Sequence, residues 1–340
     1  MSQNKQIHLD NRPVGEAVVS NFKLVVTETP PLKEGEVLVR QHYFSLDPYM
    51  RGRMNDAKSY ALPQALGETM GGGSVGEIVE SRNAAYPVGS KVVCAGGWQE
   101  YCVVSPDPAQ MRMLRIVDTT HIPLSAYLGA VGMPGVTAWY GLVKICEPKA
   151  GETMVVSAAT GAVGSAFAAL SKARGCRTVG IAGGPEKCKY ATDELGFDAC
   201  IDYKLHASAG SLAKAVREAC PKGIDGYFEN VGGMVLDAVL LNMNAFGRIA
   251  VCGMIAGYDG APLPMTYPAL ILVNRLKVQG FIVGEHMEIW PAALKELGTM
   301  VATGKLRPRE SIAQGIEAAP EAFLGLLKGK NFGKQLVKLI

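Results

Sequence analysis

Residues 153–164 read T-M-V-V-S-A-A-T-G-A-V-G, passing from an apolar run through small residues into the start of a helical pattern. Met154-Val155-Val156 is short and rich in β-branching, as suits a strand buried on both faces of a parallel sheet. Beyond the turn, Val163, Ala166, Phe167, Leu170 and Ala173 recur at spacings of three and four, which places them on one helix face. Between the two lies Ala158-x-x-Gly161-x-x-Gly164. Strand, small-residue turn and helix are the parts of a dinucleotide-binding βα unit. Small residues let the backbone approach a pyrophosphate, and the helix N-terminus offers free N–H groups with partial positive charge. The turn departs from G-x-G-x-x-G at its first glycine, so by itself it equally describes a small-residue turn in any α/β protein.

Its surroundings favour the nucleotide. From residue 153 onward strands and helices alternate, with further strands expected at 178–182, 199–202, 226–229, 248–252 and 277–283, and helices at 185–195, 208–220 and 233–243. Six strands with intervening helices call for a doubly wound parallel sheet, and right-handed crossovers make 3-2-1-4-5-6 its default order. Helices are also expected at 124–131, 135–144, 285–304 and 320–328. Residues 1–125 differ in character. Short alternating strands at 36–44, 73–80, 91–95 and 101–105 are separated by glycine turns and proline-bearing connectors, the pattern of a barrel or sandwich. A closing strand at 333–339 lies well past the sixth strand and is expected to return to this β-rich region.

Composition narrows the function. The 340 residues are enough for two domains, and 48% hydrophobic against 19% charged residues describes a globular chain. A net charge of +3 without a basic block gives nucleic acid no footprint. The start, M-S-Q-N-K-Q-I-H-L-D, has no apolar core of a signal peptide, and no run reaches membrane-spanning length, so a soluble cytoplasmic protein is expected. The 8 cysteines contain no C-x-x-C and read as buried thiols. The 5 histidines show no ligand spacing, and no metal site is expected.

The short signatures S-L-D-P-Y-M-R-G-R-M (45–54), S-A-A-T-G-A-V-G-S (157–165), Y-F-E-N-V-G-G (227–233), R-I-A-V-C-G-M-I-A-G-Y (248–258) and N-F-G-K (331–334) span nearly the whole chain. Together they resemble the medium-chain dehydrogenase/reductase superfamily. Within it they look like the zinc-independent double-bond reductases, the group of leukotriene B4 dehydrogenase/prostaglandin reductase, plant alkenal reductase and bacterial NADPH-dependent curcumin reductase. The resemblance implies a GroES-like substrate and catalytic domain from 1–125 and 305–340, a Rossmann NADP-binding domain from 126–304, and a homodimer. The superfamily's zinc alcohol dehydrogenases carry an early cysteine ligand and a Gly-His-Glu. Here the corresponding stretches read Y-F-S-L-D-P-Y-M-R and L-G-E-T-M-G-G-G. Without a Lewis acid, alcohol oxidation lacks a means of stabilising an alkoxide, whereas reduction of an activated C=C bond does not require one.

Cofactor choice is read at the end of the second strand, where an NAD enzyme has a carboxylate for the ribose 2′-hydroxyl. Residues 180–184 are G-I-A-G-G, with no acid, and Lys187 follows on the next helix, which points to NADPH. The resemblance implies that Lys187 and Tyr203 hold the 2′-phosphate, with Gly183 making room. It places Ala159, Gly161, Ala162, Val163 and Gly164 at the pyrophosphate turn, and Asn331 against the cofactor from the returning tail. Asn230 and Cys252-Gly253 fall at the carboxyl ends of strands four and five, which line the ligand crevice of such a sheet, so they are expected near the ribose or nicotinamide. Tyr258 sits in the long Gly- and Pro-rich loop after strand five, and its phenol can hydrogen-bond a substrate carbonyl and the enolate formed on hydride attack. Tyr49 is a second pocket candidate from the other domain. The expected activity is NADPH-dependent reduction of α,β-unsaturated ketones or aldehydes, with hydride passing to the β-carbon of a small enone or enal. Proton delivery to the α-carbon is left to Tyr258 or to solvent. A quinone reductase of the same superfamily and a non-catalytic NADP-binding sensor are the alternatives.

Overall fold

A computed structural model of the chain describes residues 2–107, 113–307 and 309–340. It divides into two compact units, Met1–Leu128 with Glu310–Ile340, and Gly129–Arg309. Elements are numbered along the whole chain.

In the first unit β1 (Gln3–Leu9) pairs antiparallel with β2 (Phe22–Glu28). A larger sheet contains β3 (Val37–Ser45), β4 (Ser74–Ser81), β5 (Lys91–Cys94), β6 (Tyr101–Val104), β7 (Arg115–Ile116), β14 (Glu310–Gln314) and β15 (Lys334–Lys338). Its order is β14-β15-β3-β4-β5-β7, with β6 also on β3. Trp98 anchors the core: Phe22 and Phe44 stack on it at 5.6 and 5.9 Å, and Phe323 meets it edge-on at 5.4 Å. The tail returns as expected, since β15 pairs antiparallel with β3 through Leu336 and Ser45. The strand β14 is not foreshadowed by pattern. Its sequence E-S-I-A-Q has a single large apolar residue, and parallel pairing with β15 makes it a strand. The helix expected at 124–131 is only a 3-10 turn, Leu124–Leu128, because glycines at 129 and 132 interrupt it.

The second unit is the doubly wound half. Its six strands are β8 (Thr153–Ser157), β9 (Arg177–Ala182), β10 (Ala199–Asp202), β11 (Ile224–Glu229), β12 (Met243–Val251) and β13 (Lys277–Gly280). They are all parallel, in the order β10-β9-β8-β11-β12-β13, which is the expected 3-2-1-4-5-6. Side chains alternate between its faces. Met154, Val156, Phe228 and Ala250 join one core cluster, while Val155, Tyr227 and Ile249 join the other. Helices α2 (Met133–Tyr140), α3 (Ala162–Ala173) and α8 (Trp290–Ala302) contribute to the first cluster. Helices α5 (Ala209–Ala219), α6 (Gly233–Leu240) and the short α7 (Ala269–Val273) contribute to the second.

Some boundaries shift for local reasons. The helix expected at 285–304 starts at Trp290, where Pro291 suits its first turn, and the residues before it form 3-10 turns. The helix expected at 135–144 is α-helical to Tyr140 and then π-helical over Gly141–Cys146. On α3, Ala166, Phe167 and Leu170 are buried and Val163 is half-buried as expected, but Ala173 is exposed at the last turn. Among the described residues no helix is long and apolar enough to cross a membrane.

Candidate functional site

The small-residue turn connects β8 to α3. Gly161 stands as the N-cap of α3 in an extended conformation, and Ala158 takes the left-handed φ of 51° that lets the chain reverse. A Cβ on Gly164 would meet the Ala159 carbonyl oxygen at 2.4 Å, so only glycine lets the helix rest on its own turn. A Cβ on Gly161 would touch only the Ala158 oxygen, at 3.2 Å, with open space elsewhere. That open space lies at the N-terminus of a 12-residue helix, where a diphosphate finds free N–H donors. The turn fits the pyrophosphate of a dinucleotide.

At the end of β9 the acid that would select NAD is absent and lysines cluster instead. Gly183 faces Tyr203 and Lys204: a Cβ there would stand 2.9 Å from Tyr203 Cε1 and 3.0 Å from Lys204 Cε. Lys187 lies in the first turn of α4 (Pro185–Asp193), half-buried. Burial and the positive charge of Lys204 both push its ammonium below the usual lysine range. Asp202, at the end of β10, turns Oδ1 toward the backbone N–H groups of Gly184 and Lys204, at 2.8 and 3.0 Å. Two crowded ammonium groups beside a phenol suit a phosphate monoester, whose charge relieves their mutual repulsion. Lys204 is the residue missed at sequence level, although its place directly after Tyr203 in D-Y-K was the available signal.

The carboxyl ends of β8, β11 and β12 form a third cluster. Asn230 donates its side-chain amide to the Ser157 carbonyl at 2.8 Å, and its backbone N–H to Ser157 Oγ at 2.9 Å. Ser157 Oγ in turn donates to Glu229 Oε1 at 3.0 Å. The backbone N–H groups of Cys252 and Gly253 donate to the Glu229 carbonyl, at 3.0 and 3.2 Å. After β12 the chain returns over this end: Ile255 and Ala256 donate backbone N–H groups to the carbonyls of Asn230 and Val231. That return sets the Tyr258 hydroxyl over Gly253, 3.0 Å from the position of a Cβ there. Leu263 fastens the loop by packing where side chains on Gly232 and Gly257 would stand. Asn230, Cys252, Gly253 and Tyr258 are thus brought together. Burial, reinforced by the Glu229 charge, pushes the Cys252 thiol up to about 12, so it is a neutral thiol at pH 7 and no nucleophile.

Glu229 is the other residue missed at sequence level, at the end of a strand, I-D-G-Y-F-E, that holds a second acid, Asp225. Glu229 is 0% exposed. Burial raises its carboxyl above the usual range, opposed by hydrogen bonds from the Val231 and Gly232 backbone and from Ser157. In the folded chain the proton is therefore held more tightly than in the unfolded one. Stability from this group is complete below the unfolded carboxyl range and is lost as pH rises through the folded one. Glu229→Gln stays neutral throughout, so its Tm relative to the parent is expected to climb as pH rises above the ordinary carboxylate range. A difference that stays flat with pH in thermal melts would show a carboxylate already ionised without penalty.

Tyr49 and Asn331 belong to the first unit. Tyr49 opens the short helix α1 (Tyr49–Arg53), and burial together with the nearby Asp47 carboxylate pushes its phenol up. Asp47 forms a buried ion pair with Lys334 at 2.8 Å, and Lys334 also donates to the Leu46 carbonyl at 2.6 Å. The D-P-Y-M-R and N-F-G-K signatures therefore meet within this unit. Asn331 follows helix α9 (Ala319–Leu327) and spends its amide on the Gly333 carbonyl, at 2.8 Å, as a turn asparagine does. Among the described residues no three His, Cys, Asp or Glu side chains stand together as a metal site.

Residues 5–113 match the family described as N-terminal domain of oxidoreductase, and residues 162–299 that described as zinc-binding dehydrogenase. The chain is 44% identical to NADPH-dependent curcumin reductase of Escherichia coli (strain K12), over 99% of this chain and 97% of that one. It is 39% identical to the NADP(+)-dependent 2-alkenal reductase of Nicotiana tabacum, over 98% and 97%. The crystal structure of CurA from Vibrio vulnificus in complex with NADPH superposes with a TM-score of 0.91 at 44% identity, covering 99% of both chains. With its Rossmann sheet, its separate mixed β unit and this end-to-end similarity, the chain belongs to the medium-chain dehydrogenase/reductase family, in the group of curcumin, prostaglandin and alkenal reductases.

Proposed function

We propose that this protein reduces the C=C bond of α,β-unsaturated ketones and aldehydes with NADPH and without zinc. The observation that carries this reading is the phenol hydroxyl of Tyr258, set over Gly253 at the carboxyl ends of the strands beside Asn230 and Cys252. Such a donor serves a substrate oxygen that gains negative charge. The names of the relatives, a curcumin reductase and a 2-alkenal reductase, place the same substrate class in the family.

Bound NADPH supplies the hydride that adds to the substrate β-carbon. The chain's own residues do the rest. Ala159, Gly161, Ala162, Val163 and Gly164 admit the pyrophosphate to the α3 N-terminus. Lys187 and Tyr203, with Lys204 beside them and Gly183 leaving space, take the 2′-phosphate. Asn230, Cys252 and Gly253 border the ribose and nicotinamide. Tyr258 donates to the substrate carbonyl and holds the enolate oxygen while the α-carbon is protonated, by Tyr258 or by water. Residues 1–125 and 305–340 are assigned to the substrate, with Tyr49 at its pocket and Asn331 toward the cofactor. Residues 126–304 are assigned to NADP. A homodimer in the cytoplasm completes the reading. The dimer is supported by β13, the last strand of its sheet, and by the exposed Phe246, Leu272, Val273 and Val278.

NADPH consumption with an enal, an enone, a curcumin-like dienone and a quinone, with and without a chelator, tests the assignment. Oxidation of NADPH by the enal, enone and dienone, unchanged by the chelator, is expected. Turnover of the quinone alone would make the protein a quinone reductase. Nucleotide binding without turnover of any acceptor would make it a sensor.

A further inference from the structure

Cys188 and Cys200 are twelve residues apart in sequence and belong to different elements, α4 and β10. Their sulfurs lie 3.3 Å apart, with the Cys200 thiol donating to Cys188 Sγ. Both are half-buried. The chain holds a second close pair, Cys94 and Cys102 at 3.8 Å, but both of those are fully enclosed in the first unit. Of the two pairs, Cys188 and Cys200 are the partly exposed residues. Its position is also specific. Cys188 follows Lys187 directly on α4, and Tyr203 and Lys204 follow Cys200 within four residues.

We propose that Cys188 and Cys200 are a redox-active pair that a hydroperoxide closes to a disulfide, and that closure weakens binding of the nucleotide 2′-phosphate beside them. The second half rests on the NADPH assignment, while the first stands on the sulfur geometry alone. The Cys200 hydrogen bond holds the Cys188 thiol below the usual range, against burial and the nearby Asp202 carboxylate, so Cys188 is the attacking sulfur. Its thiolate attacks the peroxide: an S–O bond forms, the O–O bond breaks, and the departing alkoxide takes up a proton as alcohol. Cys200 sulfur then attacks the Cys188 sulfenic sulfur. The S–S bond forms, the S–O bond breaks, and hydroxide leaves as water with the Cys200 proton. Two thiols lose two electrons in all, and the hydroperoxide becomes alcohol and water. A dithiol reductant reverses the exchange.

A disulfide brings its sulfurs to about 2.05 Å. Closure ties the first turns of α4 covalently to β10, and Lys187 on α4 and Tyr203 and Lys204 just after β10 lose the freedom to adjust to the phosphate. Charge-assisted contacts are geometrically specific, so the cost falls on NADPH and spares NADH.

The test uses the whole protein, oxidised with hydrogen peroxide or left reduced. After oxidation, thiol titration under denaturing conditions should fall from 8 to six. A tryptic map without reductant should join the peptide of residues 188–189 to that of residues 190–204. NADPH affinity should drop about three- to tenfold, NADH affinity should hold, and a dithiol should restore the first. Cys188→Ser and Cys200→Ser should lose both the cross-link and the peroxide response. Retention of all thiols, or a cross-link at other cysteines, overturns the pair. A correct cross-link with unchanged NADPH affinity overturns the coupling. If the reduced protein does not distinguish NADPH from NADH, the cofactor assignment fails, and the cross-link still decides the pair.

Discussion

Tyr258→Phe is expected to lower kcat/KM for an enone by roughly ten- to a thousandfold, with NADPH affinity nearly unchanged. The upper end corresponds to removal of one oxyanion donor, about 4 kcal/mol. Phenylalanine keeps the ring and its packing in the loop that Leu263 fastens to Gly232 and Gly257, so the change isolates the hydroxyl. The hydroxyl is proposed to act more strongly on an enolate than on a neutral carbonyl. The loss should then appear mainly in kcat rather than in substrate binding. Steady-state kinetics on the variant, with Tyr49→Phe beside it, separates the two tyrosines. Normal turnover by Tyr258→Phe with a crippled Tyr49→Phe would move the donor to the first unit. Two unimpaired variants would leave a cofactor ribose hydroxyl or a bound water as the donor.

Lys187→Ala should weaken NADPH by roughly ten- to a hundredfold and leave NADH almost untouched. A charge-assisted contact to phosphate contributes about 1.5–3 kcal/mol, and about 1.4 kcal/mol is tenfold in affinity. Burial disfavours the charge of Lys187 and Lys204 repels it, so an anion arriving there offsets both effects by pairing with it. Screening by solvent on the half-exposed side moves the loss toward the lower end. Fluorescence titration with both nucleotides reads the difference. Equal losses for NADPH and NADH would mean that the lysine supports the α4 fold instead.

What the sequence made legible follows its physical period. The six-strand order was legible because buried strands and amphipathic helices alternate from Thr153 onward, and right-handed crossovers leave few topologies. The returning tail was legible because its apolar alternation had no partner left in the Rossmann sheet. By contrast, β14 is nearly polar and exists only through β15, a long-range pairing that local pattern does not carry. The family resemblance singled out Lys187, Tyr203 and Gly183, and the structure sets Gly183 against Tyr203 and adds Lys204. Glu229 escaped because β11 carries two acids, Asp225 and Glu229, and nothing in the pattern says that Glu229 is the one fully buried. The Cys188–Cys200 contact escaped because it crosses from a helix to a strand, so its spacing matches no ligand or disulfide motif.

Hydride delivery to the β-carbon is tested most directly by labelled cofactor and an enone, with the saturated product analysed by NMR. Reaction with NADPH deuterated at nicotinamide C4 should place deuterium on the β-carbon, and reaction in deuterium oxide should place solvent deuterium on the α-carbon. Deuterium from the cofactor on the carbonyl carbon, with the C=C bond left intact and an allylic alcohol as product, would contradict double-bond reduction.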